Sequence, residues 1–255
     1  MTTLAIFSNK GGVGKTATAV NLAYLAAESG AKTLLCDLDP QCSATYYFRI
    51  KPKLRSGAAG WRKGGKAVYK SIKGTDYEGL DVLPADFSLR RLDIVLHRSK
   101  GAKKRLQRSL KRFASGYDLV LLDCPVTMSI LAENVINAAD MILVPLIPTT
   151  LSVRAHKQLL LYCRKKSYDT GKVYTFFSMV DLHKNMHKEL MASVSEESSG
   201  VMKTHIPYMA QIEKMGIHRE PVPVFSPGSA ATASYRSLWE EIRTAMSNDR
   251  RDAQP

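Results

Sequence analysis

A doubly wound α/β fold, with a mostly parallel sheet flanked by helices, is what this 255-residue sequence predicts, and three observations carry it. Apolar runs of strand length recur along the chain and alternate with helix-length segments, the pattern of a parallel sheet whose ligands sit at the strands' carboxyl ends. The first run, residues 4–7, leads directly into Asn9-Lys10-Gly11-Gly12-Val13-Gly14-Lys15-Thr16 and then into residues 17–28, which contain no Pro or Gly. Two later runs stop at an aspartate, Asp37 and Asp123. The chain reads as one domain over residues 1–246, followed by a polar, disordered tail over 247–255.

Strand, glycine-rich loop and helix, in that order, form the context of a phosphate-binding loop. Glycines let backbone N–H groups turn inward around a phosphate, and the helix N-terminus adds its positive end. Lys15 is then placed to meet the β- and γ-phosphates, and the Thr16 hydroxyl to ligate Mg²⁺. The common form of such a loop has Gly where this chain has Asn9, and this chain adds a second lysine, Lys10. A dinucleotide fold fits less well, since G-x-G-x-x-G is absent.

Residues 32–37 form the second strand, and Asp37-Leu38-Asp39-Pro40-Gln41 follows, with Pro40 ending it. Strand geometry puts Asp37 and Asp39 on one face, placed for Mg²⁺ and an attacking water. Residues 79–85, 118–125, 140–145 and 173–180 supply further strands. The third of the five runs from the second strand onward ends at Asp123, the Walker B pattern in which a carboxylate holds Mg²⁺ through water. A helix is expected over 152–166. His183 and His187 stand four apart on an expected helix, without the Glu or third ligand of a zinc site, and read as surface.

Charge sets the partner class. Lys and Arg number 37 against 23 Asp and Glu, a net +14, which predicts attraction to nucleic acid or an anionic membrane. Residues 49–73 carry nine cations and no acid, interspersed with Trp61 and Tyr69. They fit either a nucleic-acid surface or a solvated loop with a short helix. Residues 98–112 hold eight more with no acid, and Leu96, Leu106, Leu110 and Phe113 recur at helical spacing. An amphipathic helix with a cationic outer face is expected there. The four cysteines lack any C-x-x-C pairing, no signal peptide is evident and no apolar run is long enough to span a bilayer. A cytoplasmic protein is expected.

The sequence Lys10-Gly11-Gly12-Val13-Gly14-Lys15-Thr16, the segment 37–41 and Asp123-Cys124-Pro125 together resemble the ParA/MinD family of deviant Walker A ATPases, in its ParA-like branch. The resemblance covers residues 2–246. It implies ATP and Mg²⁺ as cofactors, with Gly11, Gly12, Val13, Gly14, Lys15, Thr16 and Ala17 around the phosphates. It implies further that Thr16, Asp37 and Asp123 serve the metal and that Asp39 orients water. It also implies that Lys10 reaches across a nucleotide-bound homodimer to the partner's phosphates. Residues 204–209 are similar to the family's adenine loop, with Pro207 and Met209 as contacts, and 223–225 and 230–246 to its closing strand and helix. The implied activity is weak, partner-stimulated ATP hydrolysis. The implied partners are non-specific double-stranded DNA of the nucleoid and an adaptor protein on a cargo: a plasmid, a chromosome or a protein assembly. Cys42, Ser43 and Val126 depart from the family pattern in the two switch segments. The tail lacks the apolar face of a membrane-targeting helix, so no membrane partner is expected. With the sequence starting at the first strand, no preceding helix-turn-helix is expected. A MinD-like membrane-cycling ATPase, an iron–sulfur carrier and a metabolic ligase are the alternatives on the same fold.

Overall fold

The computed structural model describes residues 1–62 and 66–252; Lys63 of the first basic run and residues 253–255 of the tail lie outside them. Among the described residues one sheet of seven strands runs in the order β3-β4-β2-β5-β1-β6-β7. The strands are β1 (Thr2–Ile6), β2 (Thr33–Asp37), β3 (Lys73–Gly74), β4 (Leu80–Leu83), β5 (Leu119–Asp123), β6 (Met141–Leu146) and β7 (Val173–Phe177). All pairings are parallel except β3 with β4.

Burial explains why the strands read as continuous apolar runs: helices cover both faces, so neither set of alternating side chains meets water. Leu4, Ile6, Leu35, Leu119 and Leu121 point into the layer that contains the Lys15–Glu28 and Ala230–Asp252 helices. Ala5, Phe7, Leu34, Cys36, Val120 and Leu122 point into the other, built from the Leu92–His97, Arg105–Leu110 and Ile130–Ala138 helices with Trp61. Strand order places β1 next to the central strand β5, between it and β6. That is where the sheet's winding reverses, and the loop after β1 opens into the resulting crevice.

Several expectations need correction. The basic stretch 98–112 is not one helix. Gly101 adopts φ 70°, and the chain breaks into a 3₁₀ turn (Ala102–Lys104) and a short helix (Arg105–Leu110). The apolar spacing holds all the same: Leu96, Leu106, Leu110 and Phe113 are all buried. Residues 223–225 are helical rather than extended: Pro221 precedes the turn Val222–Phe225 and Pro223 lies in its first turn, where a missing N–H costs nothing. The last helix continues past Met246 to Asp252, so the tail's first six residues are helical. His183 precedes its helix, and His187 is buried, its Nδ1 accepting from the Asp181 N–H at 3.1 Å.

His156, in the Thr150–Lys165 helix, is 5% exposed, with Nε2 2.8 Å from the Thr175 hydroxyl on β7. Burial, aided by the neighbouring Lys157 charge, holds it down from 6.5 to about 4. The unfolded chain therefore binds a proton below pH 6.5 that the folded chain refuses until about 4. Stability is complete above the upper value and declines as pH falls through this window, by about 3 kcal/mol in all. Urea midpoints at pH 7.5 and 4.5 should show this loss, and His156→Gln should remove that part of it.

Candidate nucleotide site at the strand ends

The loop between β1 and the first long helix takes its shape from two glycines in the left-handed region, Gly12 at φ 69° and Gly14 at φ 85°. At Gly14 a Cβ would also come within 3.1 Å of the Ser178 Oγ, so the loop lies tight against the end of β7. Around Gly12 there is open space within 4 Å, on the side where the backbone is exposed. Such a concave run of N–H groups ahead of a helix N-terminus is built for an anion.

Lys15 opens the helix and is 8% exposed, its Nζ donating a long 3.4 Å hydrogen bond to the Lys10 carbonyl. Burial pushes its pKa down, and the charges of Asp123, Cys124 and Asp39 push it back up. Lys15, Asp123 and Asp39 therefore share one electrostatic neighbourhood, although they come from three separate parts of the sequence.

Asp37 and Asp123 end adjacent parallel strands and are paired in register. Their surroundings differ. The Asp37 carboxylate accepts from the Thr45 N–H (2.9 Å), the Thr45 hydroxyl (2.7 Å) and the Asp39 N–H (3.1 Å). It thereby pins the short helix Ser43–Tyr47 to the strand end. Asp123 is fully buried and neither of its oxygens makes a well-formed hydrogen bond, although the Thr16 hydroxyl lies close to it. Burial, then the facing Asp37, pushes its carboxyl well above the usual range, with the nearby Thr16 hydroxyl and Lys15 pulling the other way. An unpartnered buried carboxylate costs several kcal/mol unless a cation compensates it. Residues that fit a hydrated Mg²⁺ and a phosphate chain are thus present: Asp123 and Thr16 for the metal, Lys15 and the loop N–H groups for the phosphates.

The expected geometry at Asp39 differs in one respect. The strand stops at Asp37, so Asp39 lies in the following loop rather than on the strand's face. What joins the two is the hydrogen bond from the Asp39 N–H, while Asp39 Oδ1 accepts from the Gln41 N–H at 2.9 Å.

Lys10 is held within its own chain. Its Nζ donates to the Ser152 Oγ at 2.7 Å, and Asn9 Nδ2 donates to the Ala155 carbonyl at 2.9 Å, so the loop tip is tied to the Thr150–Lys165 helix. Val126 stands over Gly11, where an added Cβ would lie 3.8 Å from its Cγ2. Pro207 bridges to Val180 beyond β7, and Met209 precedes the helix Ala210–Glu213. Pro207 therefore lies against the β7 edge of the sheet, with β6 and β7 between it and β1. Three residues that position this site escaped sequence reasoning: Thr45, Ser152 and Asn21. Fully buried Asn21 donates to Met215 Sδ and accepts from the Val222 N–H at 2.8 Å, fastening the 215–222 segment to the helix behind Lys15. An Asn inside the apolar stretch 19–27 was a readable signal. Thr45 and Ser152, in polar surroundings, carried none.

Residues 1–171 match the family described as "AAA domain". The sporulation initiation inhibitor protein Soj of Bacillus subtilis is 30% identical over 245 residues, covering 94% of this chain and 97% of that protein. The chromosome partitioning protein ParA of Caulobacter vibrioides is 29% identical over 250 residues, covering 94% and 92%. Cobyrinic acid a,c-diamide synthase from Mycobacterium smegmatis, solved with a bound ATP analogue and magnesium, superposes with a TM-score of 0.78 at 25% identity, covering 94% of this chain and 93% of that one. No helix among the described residues is long and apolar enough to cross a membrane. On its sequence and its phosphate loop, the chain belongs to the AAA-domain family of P-loop ATPases, in the branch that contains Soj and ParA.

Proposed function

We propose that this protein is a cytoplasmic, nucleoid-associated ATPase of the partitioning type. It binds ATP with Mg²⁺, closes into a face-to-face homodimer, holds double-stranded DNA without regard to sequence, and lets go after hydrolysis stimulated by an adaptor on its cargo. The observation that carries the reading is the fully buried Asp123 carboxylate, without a well-formed hydrogen bond of its own and close to Lys15 and Thr16 of the glycine loop. A bound Mg²⁺ supplies charge neutralisation at the phosphates. The loop N–H groups and Lys15 hold the phosphates, and Thr16 and Asp123 orient the metal. Asp37 supports this site indirectly, because its lone pairs fix Thr45 and the Asp39 backbone.

Asp39 is the group free to take a proton from, or align, an attacking water: one of its carboxylate oxygens is engaged by the Gln41 N–H and its side chain is half-buried. Pro207 and Met209 are proposed to flank the base, on the argument that Asn21 locks the neighbouring 215–222 segment to the helix that carries the phosphate loop. The partitioning relatives are 29–30% identical against 25% for the diamide synthase over the same 94% of this chain, which favours cargo positioning over a metabolic ligase on the same fold. The +14 net charge favours a polyanionic track.

Retention on duplex DNA with ATP, with ADP and without nucleotide tests the reading: ATP alone should support it. Asp39→Ala should bind ATP and dimerise but turn over at least about 10²-fold more slowly, and so stay on DNA after wild type has been released. Wild-type turnover in that variant, or DNA retention equal in all three nucleotide states, would overturn it.

A further inference from the structure

The two basic runs, separated by some 25 residues of sequence, fold into one surface. Arg105 Nε donates to the Trp61 carbonyl at 3.1 Å, and its guanidinium also binds the Arg62 carbonyl. Ser109 Oγ reaches the same Trp61 carbonyl, and Tyr69 stacks on Phe113 with ring centroids 5.8 Å apart. Trp61, Leu54, Val68, Leu106 and Phe113 are buried in a single core layer. Apart from Lys63 and Lys66, the cations of both runs therefore stand on a firm platform rather than on loose loops.

At the edge of this surface, beside β3, lies a cavity of about 630 Å³ lined by Lys51, Lys53, Arg55, Lys70 and Lys73, with Ile50, Ser71 and Gly74. Buried Ser71 brings its two walls together, its Oγ accepting from the Arg55 N–H at 2.7 Å. All five cations are exposed, and among the described residues none of them forms an ion pair. The acids nearby are engaged elsewhere. Asp76 pairs with Arg49, Asp81 accepts from the Tyr117 hydroxyl at 2.6 Å, and Asp86 accepts from Leu54 N and Ser88. Five exposed positive charges around one cavity, none of them ion-paired, raise the local positive potential, and an external anion that binds there is attracted by all of them.

We infer that this cavity is the phosphate-gripping part of the DNA surface, taking the sugar-phosphate backbone of a duplex, and that the exposed Lys104, Arg108, Lys111 and Arg112 extend its track. Continuity of the cations beyond the cavity favours a long polyanion over a single small phosphate compound. The preponderance of lysines around it suits contacts that ignore sequence, since an ammonium is a point charge without the planar fork of arginine. The inference rests on the proposed DNA-binding function and names the surface that performs it.

The test compares wild type, Lys51→Ala/Lys53→Ala/Lys70→Ala, the same triple to Gln, and a control triple Lys32→Ala/Lys165→Ala/Lys203→Ala outside both runs. Each is bound to a random-sequence duplex with ATP from 50 to 200 mM salt, alongside thermal melting, basal ATPase and sedimentation with phosphatidylglycerol vesicles. Both cavity triples should bind roughly 10²-fold more weakly at 100 mM salt, with the slope of log affinity against log salt shallower by about 2–3. Melting and basal ATPase should match wild type, and the control triple should lose far less. Cavity triples that bind DNA like the control, or that lose vesicle binding while keeping DNA, would overturn the inference. If wild type itself ignored DNA, the function proposed above would fail first, and this surface with it.

Discussion

Lys15→Ala is expected to abolish ATP binding, with an affinity loss of at least about 10³-fold by calorimetry or by displacement of a fluorescent ATP analogue. Two effects add. The first is direct: a buried ammonium meeting phosphate oxygens forms a charge-assisted pair, and removing one partner of such a pair costs about 3–5 kcal/mol. The second acts through the metal. In the free protein Lys15 is one of the influences that favour the charged form of Asp123, against burial and Asp37, which favour the neutral form. Without the lysine, Asp123 moves further toward its protonated state, and a protonated carboxyl is a poor ligand for Mg²⁺. Lys15→Ala should therefore show a weakened response to Mg²⁺ as well as to ATP. Lys15→Arg keeps the charge but must fit a larger fork into a site that is 8% exposed, and should restore little. Nucleotide affinity within tenfold of wild type in Lys15→Ala would remove Lys15 from the phosphate site.

The contrast between what sequence made plain and what it hid follows from how local each feature is. The glycine loop, Lys15, and the strands ending at Asp37 and Asp123 are written in consecutive residues, because backbone shape and burial on both faces dictate residue type position by position. Pairing of the two aspartates across β2 and β5 was implied once the strands were parallel. The 3₁₀ turn at residues 102–104 was hidden by a sound apolar periodicity, which one glycine at φ 70° interrupts without changing which leucines are buried. Pro221 and Pro223 could have warned against a strand at 223–225, since neither can donate to a ladder. The partners of Asp37 and Lys10 are of another kind. Thr45 and Ser152 act through single side-chain oxygens brought in by tertiary packing, and no spacing rule announces them. The union of the two basic runs is similar: each run was visible alone, but the contacts of Arg105 with Trp61 and of Tyr69 with Phe113 exist only in the fold.

Lys10→Ala should separate nucleotide binding from everything that follows it. Lys10 is not needed to hold ATP in its own subunit, so affinity should stay within about threefold of wild type. If its ammonium is delivered to the transferring phosphoryl group of a partner subunit, turnover should fall by roughly 10³-fold or more, the scale seen when a cationic finger is withdrawn. ATP-dependent dimers should also be lost, and DNA retention with them. The structure adds a second arm, because Lys10 starts from a bound position: its hydrogen bond to Ser152 must be broken in each subunit before it can cross. A bond of this type is worth about 1 kcal/mol net. Ser152→Ala removes that cost twice in a dimer, so ATP-driven dimerisation should tighten by roughly 10–30-fold while ATP affinity of the monomer is unchanged. The two variants move dimerisation in opposite directions from a single contact, and sedimentation velocity with a non-hydrolysable analogue and Mg²⁺ reads both. Dimers of normal strength in Lys10→Ala would confine that lysine to its own subunit. An unchanged dimer constant in Ser152→Ala would mean that the 2.7 Å contact imposes no barrier on the crossing.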